Sequence, residues 1–72
     1  DHARAVELCR EALELFRQDG DLAHVADVTL HLGEALVATG DEPAGRAALV
    51  QARELYVDQG RTAEAERVAE LL

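Results

Sequence analysis

The chain has no lysine, no tryptophan and no methionine, and only one cysteine, one proline, one phenylalanine and one tyrosine among its 72 residues. Each shortage excludes something. Without lysine, and with seven scattered arginines against fifteen carboxylates, the net charge is −8. Phosphate backbones are gripped by clustered cations, so this segment is not expected to bind nucleic acid directly. With so few aromatics, a deep ligand cavity has no walls, because such pockets are lined largely by aromatic and large apolar side chains. A lone cysteine closes no internal disulfide, which fits a reducing cytoplasm. No apolar run approaches the roughly 18 residues of a membrane span, and no signal-like segment is present, so no membrane partner is expected.

What is abundant is alanine, leucine and valine, the composition of thin, closely packed helices. Arginine used to the exclusion of lysine, beside much alanine and valine, points to a high-GC bacterial genome. Seventy-two residues allow one domain, residues 1–72, near the size at which a single core is marginal. Asp1 in place of a starting methionine is read as a sign of a piece of something longer.

Residues 12–32 are echoed forty positions later by residues 52–72. Ala12/Ala52, Glu14/Glu54, Leu15/Leu55, Gly20/Gly60, Ala23/Ala63, Val28/Val68 and Leu32/Leu72 coincide, and Phe16 falls on Tyr56. Such self-similarity is the mark of a stacked repeat. Three breaks, Asp19-Gly20-Asp21, Thr39-Gly40-Asp41 and Gln59-Gly60-Arg61, stand about twenty residues apart. Glycine past a helix end adopts the left-handed conformation without steric penalty, so Gly20, Gly40 and Gly60 mark helix ends. Asp21 and Asp41 are suited to cap the helices that follow, Thr62 is expected to cap the last one with Glu64 and Glu66 in its first turn, and Pro43 fits a first turn. Four helices result, at about 2–18, 22–38, 42–58 and 62–71.

Apolar residues recur at helical spacing in each: Ala5, Leu8, Cys9, Ala12, Leu15 and Phe16; Val25, Val28, Thr29, Leu32, Leu36 and Val37; Ala48, Leu49, Ala52, Leu55 and Tyr56; Ala65, Val68, Ala69 and Leu72. Nothing alternates like a strand. Two- or three-residue connections turn neighbouring helices antiparallel. Leu30, Leu36 and Val37 widen the apolar stripe of the second helix, which is expected to be the most buried. Gly33 and Ala52 are read as the small residues at a close approach of two backbones, with Leu32, Leu36 and Leu49 filling the space beside them.

Residues 29–56 resemble a tetratricopeptide repeat. Leu32-Gly33 matches the Leu-Gly pair of its first helix, Leu36 a large residue three further on, Gly40-Asp41 its turn, and Leu49 and Ala52 the large and small residues of its second helix. Thr29 stands where the motif has tryptophan and Gly45 where it has alanine, no proline closes the second helix, and the period is forty rather than about 34. Gly45 gives up about 1 kcal/mol of helix propensity relative to alanine. The longer unit is similar to the repeat arrays of large bacterial antibiotic regulatory and LuxR-type transcriptional regulators. The resemblance implies an all-α fold of antiparallel hairpins in a right-handed solenoid. It also implies a non-catalytic, cytoplasmic protein-interaction module within a multidomain regulator.

In that resemblance the first helices of successive repeats line the concave side, which puts Asp27, Leu30, His31, Glu34 and Val37 in a groove. Asp27, Leu30 and Glu34 replace the Lys and Asn with which some members hold a partner's C-terminal carboxylate, so that clamp is absent. An acidic rim around Leu30 and Val37 suits a basic or partly apolar protein segment, another domain of the same chain, or a second copy.

Other chemistry is weaker. His24, Asp27 and His31 share one side of a helix at metal-compatible spacing, which offers a metal- or pH-responsive switch as an alternative, though without the glutamate of an HExxH arrangement. Cys9 lies on an apolar stripe with no histidine at short helical spacing to activate it. The glycines form no phosphate loop. No catalytic residue and no cofactor is expected. A structural spacer or self-association element is the other alternative.

Overall fold

The computed structural model covers residues 1–72. It contains four helices and no strand: α1 (His2–Asp19), α2 (Leu22–Ala38), α3 (Glu42–Asp58) and α4 (Thr62–Leu71). The predicted elements are all present, with α1 one residue longer than expected.

The three turns are built alike. Gly20, Gly40 and Gly60 have φ of 70°, 93° and 71°, the left-handed region that side chains with a Cβ avoid. In each, the glycine N–H donates to the carbonyl three residues back and the next N–H to the carbonyl five residues back: Gly20 to Arg17 and Asp21 to Phe16, Gly40 to Val37 and Asp41 to Leu36, Gly60 to Val57 and Arg61 to Tyr56. This is the Schellman closure. The residue after each glycine also begins the next helix. Asp21 and Asp41 accept hydrogen bonds from the backbone N–H of His24 (3.1 Å) and Ala44 (3.3 Å). The third turn departs from the expectation. Arg61, not Thr62, occupies the capping position, and α4 starts without a side-chain cap, because a guanidinium has no acceptor to offer.

Successive helices run antiparallel, as Val6 near the start of α1 lies against Ala35 and Leu36 near the end of α2 while Phe16 meets His24 at the other end. Each helix packs chiefly on its chain neighbours, and the molecule is a slab of 31 × 29 × 15 Å between extreme Cα positions. Two apolar clusters hold it. One joins Ala26, Leu49, Ala52, Tyr56, Ala65 and Val68 of α2, α3 and α4; the other joins Val6, Ala35, Leu36 and Ala48 of α1, α2 and α3. As expected, α2 contributes the most buried residues. Thr29 is buried among them, with its hydroxyl donating to the Val25 carbonyl at 2.6 Å.

Two packing expectations are corrected. Gly33 does pack closely, but its partner across α2 and α3 is Gly45 rather than Ala52. A Cβ on Gly33 would lie 2.9 Å from Leu49 Cγ and 3.1 Å from the Gly45 carbonyl oxygen. One on Gly45 would lie 2.5 Å from a Val37 methyl, 2.9 Å from Val37 N and 3.0 Å from the Gly33 carbonyl oxygen. The apparent weakness of Gly45 as a helix residue is therefore a requirement of the crossing, and Ala52 belongs to the apolar cluster beside it. In α1 the covered stripe is centred on Val6 and Leu13, whereas Leu8 and Leu15 point to solvent. Cys9 is half-buried.

Candidate functional site

The polar centre of the molecule grows from the exceptional third turn. Freed from capping, Arg61 reaches back across α3. Its Nη2 donates to Asp27 Oδ1 at 2.8 Å, Nη1 to the Ala23 carbonyl at 3.1 Å and to Gln59 Oε1 at 3.2 Å, and Nε to Glu64 Oε2 at 3.3 Å. The guanidinium lies over the Tyr56 ring, 4.7 Å from its centroid, within cation–π range. The Tyr56 hydroxyl donates to the same Asp27 oxygen at 2.7 Å, and Gln59 Nε2 donates to the Leu22 carbonyl at 2.8 Å. The turn between α3 and α4 is thereby tied to the first turns of α2.

The electrostatics follow from this placement. Burial first, then the hydrogen bond to Asp27 and its charge, push the Tyr56 phenol up to about 12. Burial also pushes the Asp27 carboxyl up, but the bonds from Tyr56 and Arg61 and the charge of Arg61 outweigh it and hold it below the usual aspartate value. Asp27 is thus an internal anchor rather than a free rim carboxylate. The offset that aligned Phe16 with Tyr56 and Asp21 with Arg61 carried the signal: one turn breaks the aspartate pattern, and the aromatic beside it carries a hydroxyl.

Asp27, Leu30, His31 and Glu34 do line one groove, with Tyr56, Arg61 and, from α4, Glu64, Arg67, Val68, Glu70 and Leu71; it encloses about 600 Å³. Leu30 packs half-buried against the α3–α4 cluster and forms part of the floor. Val37 is not part of this groove. It lies over Gly45 and lines a separate cleft with Glu42, Pro43, Arg46, Leu49, Leu71 and Leu72. The rim is also less acidic than expected. Arg67 and Arg61 both pair with Glu64, whereas Glu34 has only the His31 imidazole, 3.5 Å away, and Glu70 has no ion-pair partner.

His24, Asp27 and His31 are not brought together as a ligand set. His24 stacks on Phe16 with centroids 4.7 Å apart and places Nδ1 2.6 Å from Asp21 Oδ2, Asp27 holds Tyr56 and Arg61, and His31 faces Glu34. No group of three His, Cys, Asp or Glu side chains is placed to hold a metal ion. Burial pushes the Cys9 thiol up, which favours the protonated, weakly nucleophilic form. No helix is long and apolar enough to cross a membrane.

Fold and site together define an all-α chain of four sequentially packed helices with an open groove between α2 and α4. The chain matches no protein-family profile, no curated protein and no solved structure.

Proposed function

We propose that this chain is a non-catalytic protein-interaction module of tetratricopeptide-like build, belonging to a multidomain bacterial transcriptional regulator and working in the cytoplasm. The observation that carries the reading is the groove between α2 and α4. Its apolar lining of Leu30, Val68 and Leu71 is bordered by Glu34, which only the His31 imidazole approaches, and by Glu70, while Asp27, Tyr56, Arg61, Glu64 and Arg67 are tied to one another. Such a surface suits an amphipathic segment with basic flanks, because the floor supplies apolar contact and the two glutamates supply complementary charge. The flat, sequentially packed helices and the forty-residue echo support the repeat reading.

The test uses a fluorescein-labelled amphipathic helix made of leucine and arginine, followed by anisotropy at low and moderate salt. Glu34→Gln and Glu70→Gln should each weaken binding about two- to five-fold at low salt, the range of partly exposed ion pairs. Leu30→Ala should weaken it at both salts. Equal binding of a peptide with glutamate in place of arginine would overturn the proposal, as would enzymatic turnover of a nucleotide or ester by the chain.

A second reading, a structural spacer or self-association element, is favoured by the exposure of Leu8 and Leu15. A concentration-dependent dimer abolished by Leu8→Glu would support it over the first.

A further inference from the structure

The apolar face of α1 lies away from the groove and has its counterpart within the molecule. At the forty-residue offset, Ala5, Leu8, Ala12, Leu15 and Phe16 fall on Gly45, Ala48, Ala52, Leu55 and Tyr56 of α3. On α3 this face is covered by α2: Ala48 packs with Ala35 and Leu36, Ala52 with Ala26, and Gly45 with Val37. Ala48 is accordingly 8% exposed, whereas its counterpart Leu8 is 49% exposed and Leu15 is 61% exposed. The same face is thus filled on α3, whereas on α1 it is open at Leu8 and Leu15, with Ala5, Ala12 and Phe16 half-buried beside them.

Two occupants are disfavoured by charge. The helix equivalent to α2 is α4, but it has Glu66 and Glu70 where α2 has Ala26 and Leu30. A second copy stacking head to tail would press these carboxylates onto the apolar face of α1, an uncompensated desolvation. A two-fold pairing of α1 with α1, registered Leu8 on Leu15, would bring the two Glu11 side chains together. The charge of the seat itself is also inverted. At the filled site α2 brings Asp27 to Tyr56 and Arg61. At the open site the corresponding residues are Phe16, stacked on His24 and with no hydroxyl to donate, and Asp21, a carboxylate 36% exposed that caps α2 and lies 2.6 Å from His24 Nδ1. An incoming aspartate would meet a like charge, whereas a long basic side chain would find a partner.

We propose that the Leu8/Leu15 face of α1 is the seat of an antiparallel amphipathic helix built like α2, with small residues at the contact and a basic residue where α2 has Asp27. The partner is therefore a helix of stated pattern, not a second copy of this chain.

The test joins a copy of residues 21–40 ahead of Asp1, so that its terminal glycine runs into Asp1 as Gly40 runs into Asp41; Asp1 caps α1 as Asp41 caps α3. Three extensions are compared: the copy with Asp27→Arg, the unchanged copy and a shuffled one. The arginine version should raise Tm by at least about 5 °C and slow amide exchange in α1 by about ten-fold or more. The unchanged copy should gain less and the shuffled one nothing. Leu8→Glu with Leu15→Glu should cancel the gain, while leaving the Tm of the unextended chain nearly unchanged. Equal gains from the arginine and aspartate versions would overturn the charge rule, and equal gains from the shuffled version would overturn the seat. A dimer of the unextended chain dissolved by Leu8→Glu would assign the face to a second copy instead.

Discussion

Replacing Gly45 by alanine is the sharpest perturbation of this fold, because two effects of known size oppose each other. As a helix-interior substitution it gains about 1 kcal/mol of propensity. As a packing change it places a methyl group 2.5 Å from a Val37 methyl, 2.9 Å from Val37 N and 3.0 Å from the Gly33 carbonyl oxygen. Two of these three atoms are backbone, and a helical valine has little χ1 freedom with which to withdraw. The helices must separate or slide. Overpacking of this kind typically costs about 1–3 kcal/mol, and with two unyielding backbone atoms struck the upper part of that range, about 2–3 kcal/mol, applies. Packing therefore wins, by about 1–2 kcal/mol, and for a domain of this size Tm should fall by roughly 5–15 °C. Thermal and urea unfolding followed by far-UV circular dichroism measures it. Ala47→Gly, at an exposed position of the same helix, calibrates the propensity contribution alone. Gly33→Ala should lose less than Gly45→Ala, since its two nearest obstacles belong to the Leu49 side chain. A Gly45→Ala variant as stable as the parent, or more so, would refute the crossing argument.

The cluster around Arg61 makes further predictions. Arg61→Asp supplies α4 with the preferred capping residue, yet it should lower Tm, because it removes the bonds to Asp27 and the Ala23 carbonyl; a higher Tm would show that the local cap outweighs the tertiary clamp. Tyr56→Phe should cost about 1 kcal/mol in urea unfolding, the usual net value of one hydrogen bond. The pH dependence has two limbs. The Asp27 carboxyl lies below its ordinary value near pH 4, so its contribution is present above that pH and is lost as pH falls through the folded value; Asp27→Asn should flatten this acid limb. The Tyr56 phenol, raised to about 12 from an ordinary value near 10, contributes fully below about pH 10 and is lost as pH rises towards 12; Tyr56→Phe should remove that alkaline limb. Gly33→Leu should lower Tm more than Glu34→Leu, since Gly33 is buried at the crossing while Glu34 is exposed; equal melting temperatures would contradict that placement.

The four helices, their three turns and the prominence of α2 were legible in the sequence because each depends on local chemistry. Glycine alone adopts φ of 70–93° freely, and an aspartate after it caps the next helix within three residues. The forty-residue echo likewise named the faces that resemble one another. The groove was only partly legible. Asp27, Leu30, His31 and Glu34 follow helical spacing and do share a side, but Val37, on the same stripe as Leu30, lies about two turns further along α2, where it meets α3 at Gly45 instead.

What the tertiary structure alone decided are the relations between helices. Spacing says which residues share a face; it does not say how far along a neighbouring helix that face is met. The register of α2 on α3 pairs Gly33 with Gly45 rather than with Ala52, making an apparent local weakness a steric necessity. The same register brings Tyr56 and Arg61 to Asp27, consuming a carboxylate that the sequence left free. Local propensities acting over a few residues wrote the helices and turns into the sequence, and only the crossing of packed backbones settled which side chains meet.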